Sequence, residues 1–452
     1  IVFLGLAAAI WGGWLERVGP RKAGFYAAIC WCGGLIITAL AIYIHQLWLA
    51  WIGSGVIGGI GLGLAYISPV STLIKWFPDR RGMATGMAIM GFGGGALIGS
   101  PLAVWLMNVY GGGVASRGVA MTFLTLGVIY AVFMLGGALG YRVPPTAHWQ
   151  PEGWTPMQQG RGMITANDVH LHDAHKTPQF WLIWLVLMLN VSAGIGVLSV
   201  ASPMLQFLFG GTLIRVPGVR LPDLNPDQVR QVAAIAAGFV GLLSLFNILG
   251  RFFWASMSDK IGRKMTYATF FLLGTVLYAA SPWTADIGSV ALFVTFMCII
   301  LSMYGGGFAT VPAYLADMFG TRYVGAIHGR LLTAWSTAGV VGPVAITQIP
   351  QWLQGRGVPR GEAYAQTLYI LAGFLVVGFV CNLLVRPVAQ RWFMREGAQT
   401  GGPVAAPVAA GSSHGIGRGG LTVTAGIAWA LVGIPLLVGI WITIEKSFAL
   451  FR

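Results

Sequence analysis

Long stretches without a single Asp, Glu, Lys or Arg constrain this chain more than any other feature. They run over 23–74, 82–116, 177–214, 265–285 and 287–316. Each is long enough for one or two helices of roughly 20 residues across a hydrocarbon core of about 30 Å. Only 9% of the 452 residues are charged, while 56% are hydrophobic; soluble domains carry about 25% charged residues. So few charges cannot cover a water-facing surface of this size. The chain reads as an all-α, polytopic membrane protein, which excludes soluble enzymes and nucleic-acid binders.

Charged, Pro-rich and Gly-rich breaks divide the apolar sequence into twelve spans: 1–14, 23–44, 47–76, 82–109, 118–141, 177–209, 231–258, 265–283, 289–316, 325–349, 363–385 and 420–444. The polar, Pro-containing run 143–176 is a central cytoplasmic linker, and 387–419, rich in Gly, Ala and Pro, is a flexible one. The four cysteines, Cys30, Cys32, Cys298 and Cys381, lie inside apolar runs and read as packing thiols. His170, His172 and His175 have metal-like spacing but sit in a linker without cysteine, so no metal or cofactor is expected.

An internal repeat organises the spans. Glu16-Arg17-Val18-Gly19 returns as Asp259-Lys260-Ile261-Gly262, and Tyr66, Phe77, Arg80 and Pro101 answer to Phe308, Phe319, Arg322 and Pro343. The offset stays at roughly 242 residues throughout, with loops coinciding. Two parallel bundles follow, 1–142 and 177–386, with an extra transmembrane helix at 420–452. On this register the span 177–209 lacks a counterpart, so a first span is expected before residue 1. Residues 1–14 then belong to span 2 of a twelve-span, two-bundle core. Eighteen of the 27 Lys and Arg fall in loops after even-numbered spans, counting the linker after span 12, and six on the other side. By the positive-inside rule the even side is cytoplasmic, which accounts for the +14 net charge without an acidic partner.

Arg251 is the one charged residue well inside a span. It lies eight residues before Asp259, about 12 Å from the cytoplasmic end at 1.5 Å per residue. A cation at that depth costs about 2.5–3.5 kcal/mol on insertion scales and is tolerated where it faces a polar cavity or partner. No acid lies at comparable depth, and its repeat mate is Ala8. An anion-binding role follows. Asn247, one turn earlier on the same helix face, is placed to hydrogen-bond a carboxylate that Arg251 holds bidentately. Tyr66, Tyr304, Phe308, Trp335 and Ser336 lie at similar depth in spans 4, 10 and 11 and would wall a small cavity. The glycine runs 59–63 and 305–307 read as close helix packing.

The loop residues 12–22 and 255–264 resemble the signature loops of the major facilitator superfamily. The resemblance implies that Glu16, Arg17, Asp259, Lys260 and Arg263 gate the protein through contacts between bundles. The first copy has Glu16 for the usual Asp and an inserted Pro20, which is expected to loosen it. Gly95 to Pro101 in span 5 resembles the superfamily's glycine-rich bending element.

Asn247-Ile248-Leu249-Gly250-Arg251, Tyr304-Gly305-Gly306-Gly307-Phe308, His328-Gly329-Arg330-Leu331-Leu332-Thr333-Ala334-Trp335-Ser336 and Lys176-Thr177-Pro178-Gln179-Phe180-Trp181 resemble the oxalate/formate antiporter family and the related monocarboxylate transporters. That resemblance implies a carboxylate-binding role for Arg251. Two departures refine it. Where oxalate exchangers carry a lysine in span 11, the nearest match is Trp335. Where proton-coupled monocarboxylate carriers have an aspartate four residues before the arginine, this chain has Asn247.

The expectation is a monomeric secondary transporter of a bacterial-type cytoplasmic membrane. It would carry a small monocarboxylate anion (formate, lactate or pyruvate) by alternating access. The alternatives are an oxalate or other dicarboxylate exchanger and, remotely, a non-transporting membrane sensor.

Overall fold

The computed structural model describes residues 1–111, 115–145, 149, 151, 163–165, 167–216, 218–219 and 221–394, with scattered positions between 427 and 445. Its regular elements are helices: α1 (Val2–Val18), α2 (Pro20–Tyr43), α3 (Leu47–Ala50), α4 (Gly58–Trp76), α5 (Arg81–Gly111), α6 (Ala115–Gly140), α7 (Leu171–Ala174), α8 (Pro178–Phe209), α9 (Pro226–Ile261), α10 (Arg263–Asp286), α11 (Val290–Phe319), α12 (Val324–Leu331), α13 (Thr333–Gly355) and α14 (Arg360–Leu384). A π-helical segment, Trp51–Ile57, joins α3 to α4. Helix is forced on such a sequence because hydrocarbon offers no partner to an open backbone N–H or carbonyl.

Among the described residues eight helices have the length and hydropathy to cross a bilayer. Three further long helices, α1, α10 and α13, fall short: α1 has 17 residues, and α10 and α13 carry more polar side chains. Large apolar side chains point outward all round, among them Ile10, Trp105, Val132 and Val276, as a lipid-facing surface requires. Most of the expected linker 387–419 and extra helix 420–452 lies outside the described residues.

Helix starts follow local chemistry. Asn225 and Gln228 form a reciprocal capping box at the head of α9, and Thr177 and Ser289 cap α8 and α11. The loops after α1 and α9 each turn on one glycine with positive φ, Gly19 at 84° and Gly262 at 86°. Pro20 occupies the first position of α2, where its fixed φ and missing N–H cost nothing.

Glycine runs set the packing inside each bundle. A Cβ on Gly305 would strike Asn247 and one on Gly306 would strike Trp254, both of α9, while one on Gly307 would strike Asn190 of α8. In the other bundle Gly59 and Gly63 lie against α1 and Gly61 against α2. Small residues also bring the bundles together. Gly12 faces the Ala326 Cα, Gly329 the Ala8 carbonyl, and Gly82 and Gly86 the backbone of α9 at Ala255 and Arg251. These contacts lie toward the end carrying Glu16 and Asp259, which is therefore closed.

The central linker packs on that same end. Val169 pairs with Phe393 in an isolated bridge, Asp168 accepts from the Arg322 N–H, and Arg330 donates to the Leu171 carbonyl and meets His175 Nδ1 at 2.8 Å.

Candidate functional site

Arg251 is 3% exposed and leaves α9 toward the opposite bundle. Its Nε donates to Asn247 Oδ1 at 3.2 Å and its Nη1 to the Ile89 carbonyl of α5 at 3.1 Å. The guanidinium lies over the rings of Phe92 and Phe308, 5.6 Å from each centroid. A desolvated cation over an aromatic face gains up to about 2 kcal/mol, which offsets part of its cost in the membrane. Two of its five N–H donors are used in these hydrogen bonds. Among the described residues no carboxylate lies within ion-pair distance of it.

The aromatic residues expected from spans 4, 10 and 11 come together around this cation. Tyr66 contacts Trp335 and Phe92 at 5.6 Å between centroids, Phe308 contacts Trp335 at 4.6 Å, and Tyr304 contacts Phe308 at 5.5 Å. The Tyr66 hydroxyl and Trp335 Nε1 are buried with no hydrogen-bond partner among the described residues. Buried donors left open in this way are costly, and beside a cation they suit a ligand rich in acceptor oxygens. Ile89, Tyr66 and Phe92 also line a cavity of about 180 Å³ between α4 and α5, walled otherwise by Leu62, Ala65, Pro69, Val70 and Ala88.

Two expected site residues also make contacts of their own. Asn247 accepts from Arg251 through its carbonyl oxygen, which orients the guanidinium and leaves its amide NH₂, the group able to donate to a carboxylate. Ser336 donates to the Ile1 and Val2 carbonyls, so it ties α13 to α1. The α5 contribution was missed in the sequence reading. Phe92 is the one large side chain in the run 91–95, and a Cβ on Gly93 would stand 2.9 Å from Arg251 Nε. A bulky residue alone among glycines was the available signal.

The residues expected to gate the protein lie below this cluster, toward the closed end. Asp259 accepts from the Gly82 and Met83 N–H groups at 2.9 Å each, capping α5 from the other bundle. At the matching place in the first copy Glu16 accepts one such bond, from the Gly325 N–H at 3.1 Å near the start of α12. Carboxylates suit helix N-termini, where unpaired N–H groups and the macrodipole both favour negative charge. Glu16 also pairs with Lys75 at 2.5 Å. Arg263 joins Asp259 at 2.6 Å to Asp317 at 3.0 Å, and Asp317 reaches Arg81 across the interface at 3.0 Å. Arg17 and Lys260, expected in the gate, are exposed. Among the described residues Arg17 hydrogen-bonds the Gly13 carbonyl and neither it nor Lys260 makes an ion pair. Arg81, Lys75 and Asp317 take their places. The signal for Asp317 was its repeat mate Lys75, which supplies charge at the matching place in the first copy.

No group of three metal-ligating side chains occurs among the described residues. In the linker, burial and then the neighbouring His172 push the His170 imidazole pKa down.

Comparison with known proteins bears on this arrangement. The model of the Major Facilitator Superfamily matches residues 1–343. The chain is 28% identical over 334 residues to the oxalate:formate antiporter of Oxalobacter formigenes, covering 73% of this chain and 69% of that one. It is 26% identical to apicoplast pyruvate carrier 1 of Toxoplasma gondii, over 61% of this chain and 55% of the carrier. Among solved structures it resembles an E. coli fucose:proton symporter, with a TM-score of 0.58 at 12% identity over 85% of this chain and 89% of that one. A bacterial homologue of the iron transporter ferroportin gives 0.53 at 13% identity over 84% and 88%. The chain is thus a multi-pass integral membrane protein, a secondary transporter and not an enzyme, and it belongs to the Major Facilitator Superfamily.

Proposed function

We propose that this transporter carries a small organic monocarboxylate of the formate, lactate or pyruvate type, held between the two bundles by Arg251. The observation that carries this reading is a buried guanidinium with no acidic partner among the described residues, set in an aromatic cluster whose Tyr66 O–H and Trp335 N–H stand open. A bound monoanion leaves that site neutral. A dianion leaves a net negative charge in low dielectric; at an effective dielectric of about 20, an extra charge 4–6 Å away is worth roughly 3–4 kcal/mol. The similarity to an oxalate:formate antiporter and a pyruvate carrier supports a carboxylate. An oxalate exchanger is the rival reading. Trp335, at the nearest match to the exchangers' second cation, speaks against it.

The test is counterflow in proteoliposomes with a panel of labelled carboxylates. Formate, lactate or pyruvate should compete best. Arg251→Ala should insert and fold but lose exchange, and Arg251→Lys should be partly impaired because lysine lacks the planar fork. Normal flux in well-folded Arg251→Ala would overturn the anchor. Oxalate displacing label better than every monocarboxylate would overturn the substrate class.

A further inference from the structure

A second group within the closed interface is unaccounted for. His328 of α12 is 1% exposed, and neither of its ring nitrogens has a hydrogen-bond partner among the described residues. Its ring lies 5.8 Å from that of Tyr66 across the bundle interface. Around it α12 is pressed on α1: Gly325 donates to Glu16, Ala326 meets Gly12, and Gly329 meets the Ala8 carbonyl. The closure of the cytoplasmic half therefore buries this imidazole.

A neutral imidazole endures such a place at the cost of an idle N–H and an idle lone pair. An imidazolium needs an anion or water, and the packed elements offer no free anion. From α1, Glu16 is committed to Lys75 and Gly325, and Arg17 is a cation. From α4 come Tyr66 and Lys75. From α11 come Tyr304, Tyr314 and Asp317, whose carboxylate is shared by Arg81 and Arg263. From α7 come His172 and Asp173, the latter paired with Lys176, and α13 carries no ionisable side chain. On α12 itself Arg330 faces His175.

We infer that His328 is a proton-binding site on the cytoplasmic side of the carrier, occupied only when α1 and α12 part, so that cytoplasmic pH sets which way the transporter faces. The closed form excludes the proton, whereas the form open to the cytoplasm hydrates the ring and admits it. By linkage, the form that binds more protons gains as pH falls. Acid therefore favours the inward-open state, and alkali favours the state seen here, closed on the cytoplasmic side. With an ordinary hydrated histidine pKa of about 6.5, the inward-to-outward ratio rises about tenfold between pH 8 and pH 5.5. The inference rests on alternating access and not on which anion is carried.

The experiment measures facing by distance distributions between spin labels across the cytoplasmic gate, on intact substrate-free protein in nanodiscs at pH 8 and pH 5.5. Wild type should move toward inward-open by about tenfold in ratio at the lower pH. His328→Gln and His328→Phe, each checked for wild-type melting at pH 8, should show little of that movement. The linker histidines His170, His172 and His175 remain in both variants, so a shift that survives in both would assign the response elsewhere and overturn the inference. Identical distributions in wild type at the two pH values would also overturn it. Loss of anion exchange in Arg251→Ala with the pH response intact would bear on the anchor alone.

Discussion

Asp259→Asn should move the protein toward its inward-open state without touching the Arg251 cluster. Asp259 caps α5 with two hydrogen bonds of 2.9 Å from the opposite bundle. Its side chain is 18% exposed and that of its partner Arg263 9%, so solvent screening is limited. A hydrogen bond to a charged group contributes about 1.5–3 kcal/mol. Asparagine keeps one acceptor, so roughly one such bond is lost, along with about 0.3–1 kcal/mol of attraction to the helix terminus. Arg263 keeps Asp317, which limits the damage inside the second bundle. The sum, about 2–4 kcal/mol, corresponds to roughly a 30- to 700-fold change in the equilibrium between facing states. The assay is labelling of Val324→Cys, 1% exposed in the closed gate, in a background lacking Cys30, Cys32, Cys298 and Cys381. A membrane-impermeant maleimide applied from the cytoplasmic side should label Asp259→Asn at least tenfold faster than the parent. Equal rates, or slower labelling, would show that the cap does not hold the gate.

Two further outcomes test the cluster around Arg251. Trp335→Lys should raise the competition of oxalate relative to lactate by tenfold or more, since a second cation is worth roughly 3–4 kcal/mol to a dianion at these distances; an unchanged ratio would count against charge as the selector. Gly93→Ala puts a Cβ 2.9 Å from Arg251 Nε and should displace the guanidinium from Phe92 and Phe308, at an overpacking cost of about 1–3 kcal/mol. Affinity in equilibrium binding should fall about tenfold with folding retained, and wild-type affinity would show that the guanidinium does not depend on this wall.

What the sequence determined by itself follows from the cost of charge in hydrocarbon. That cost confines Asp, Glu, Lys and Arg to loops and helix ends, so the apolar helices and the single deep cation could be read directly. The repeat was legible for a related reason: Glu16 and Asp259 must each meet a helix N-terminus, and Gly19 and Gly262 must each turn with positive φ. The aromatic residues of spans 4, 10 and 11 were found because depth along a helix is simply residue count.

What only the tertiary structure decided is which side chains meet across the bundle interface. Arg251 reaches the Ile89 carbonyl 162 positions away, and Asp317 reaches Arg81 across 236. Neither spacing nor hydropathy encodes such pairings; they depend on how closely glycine faces let two bundles approach. The same approach turns Ser336 to the α1 backbone, leaves Arg17 and Lys260 in solvent, and encloses His328 where the cytoplasmic gate must open.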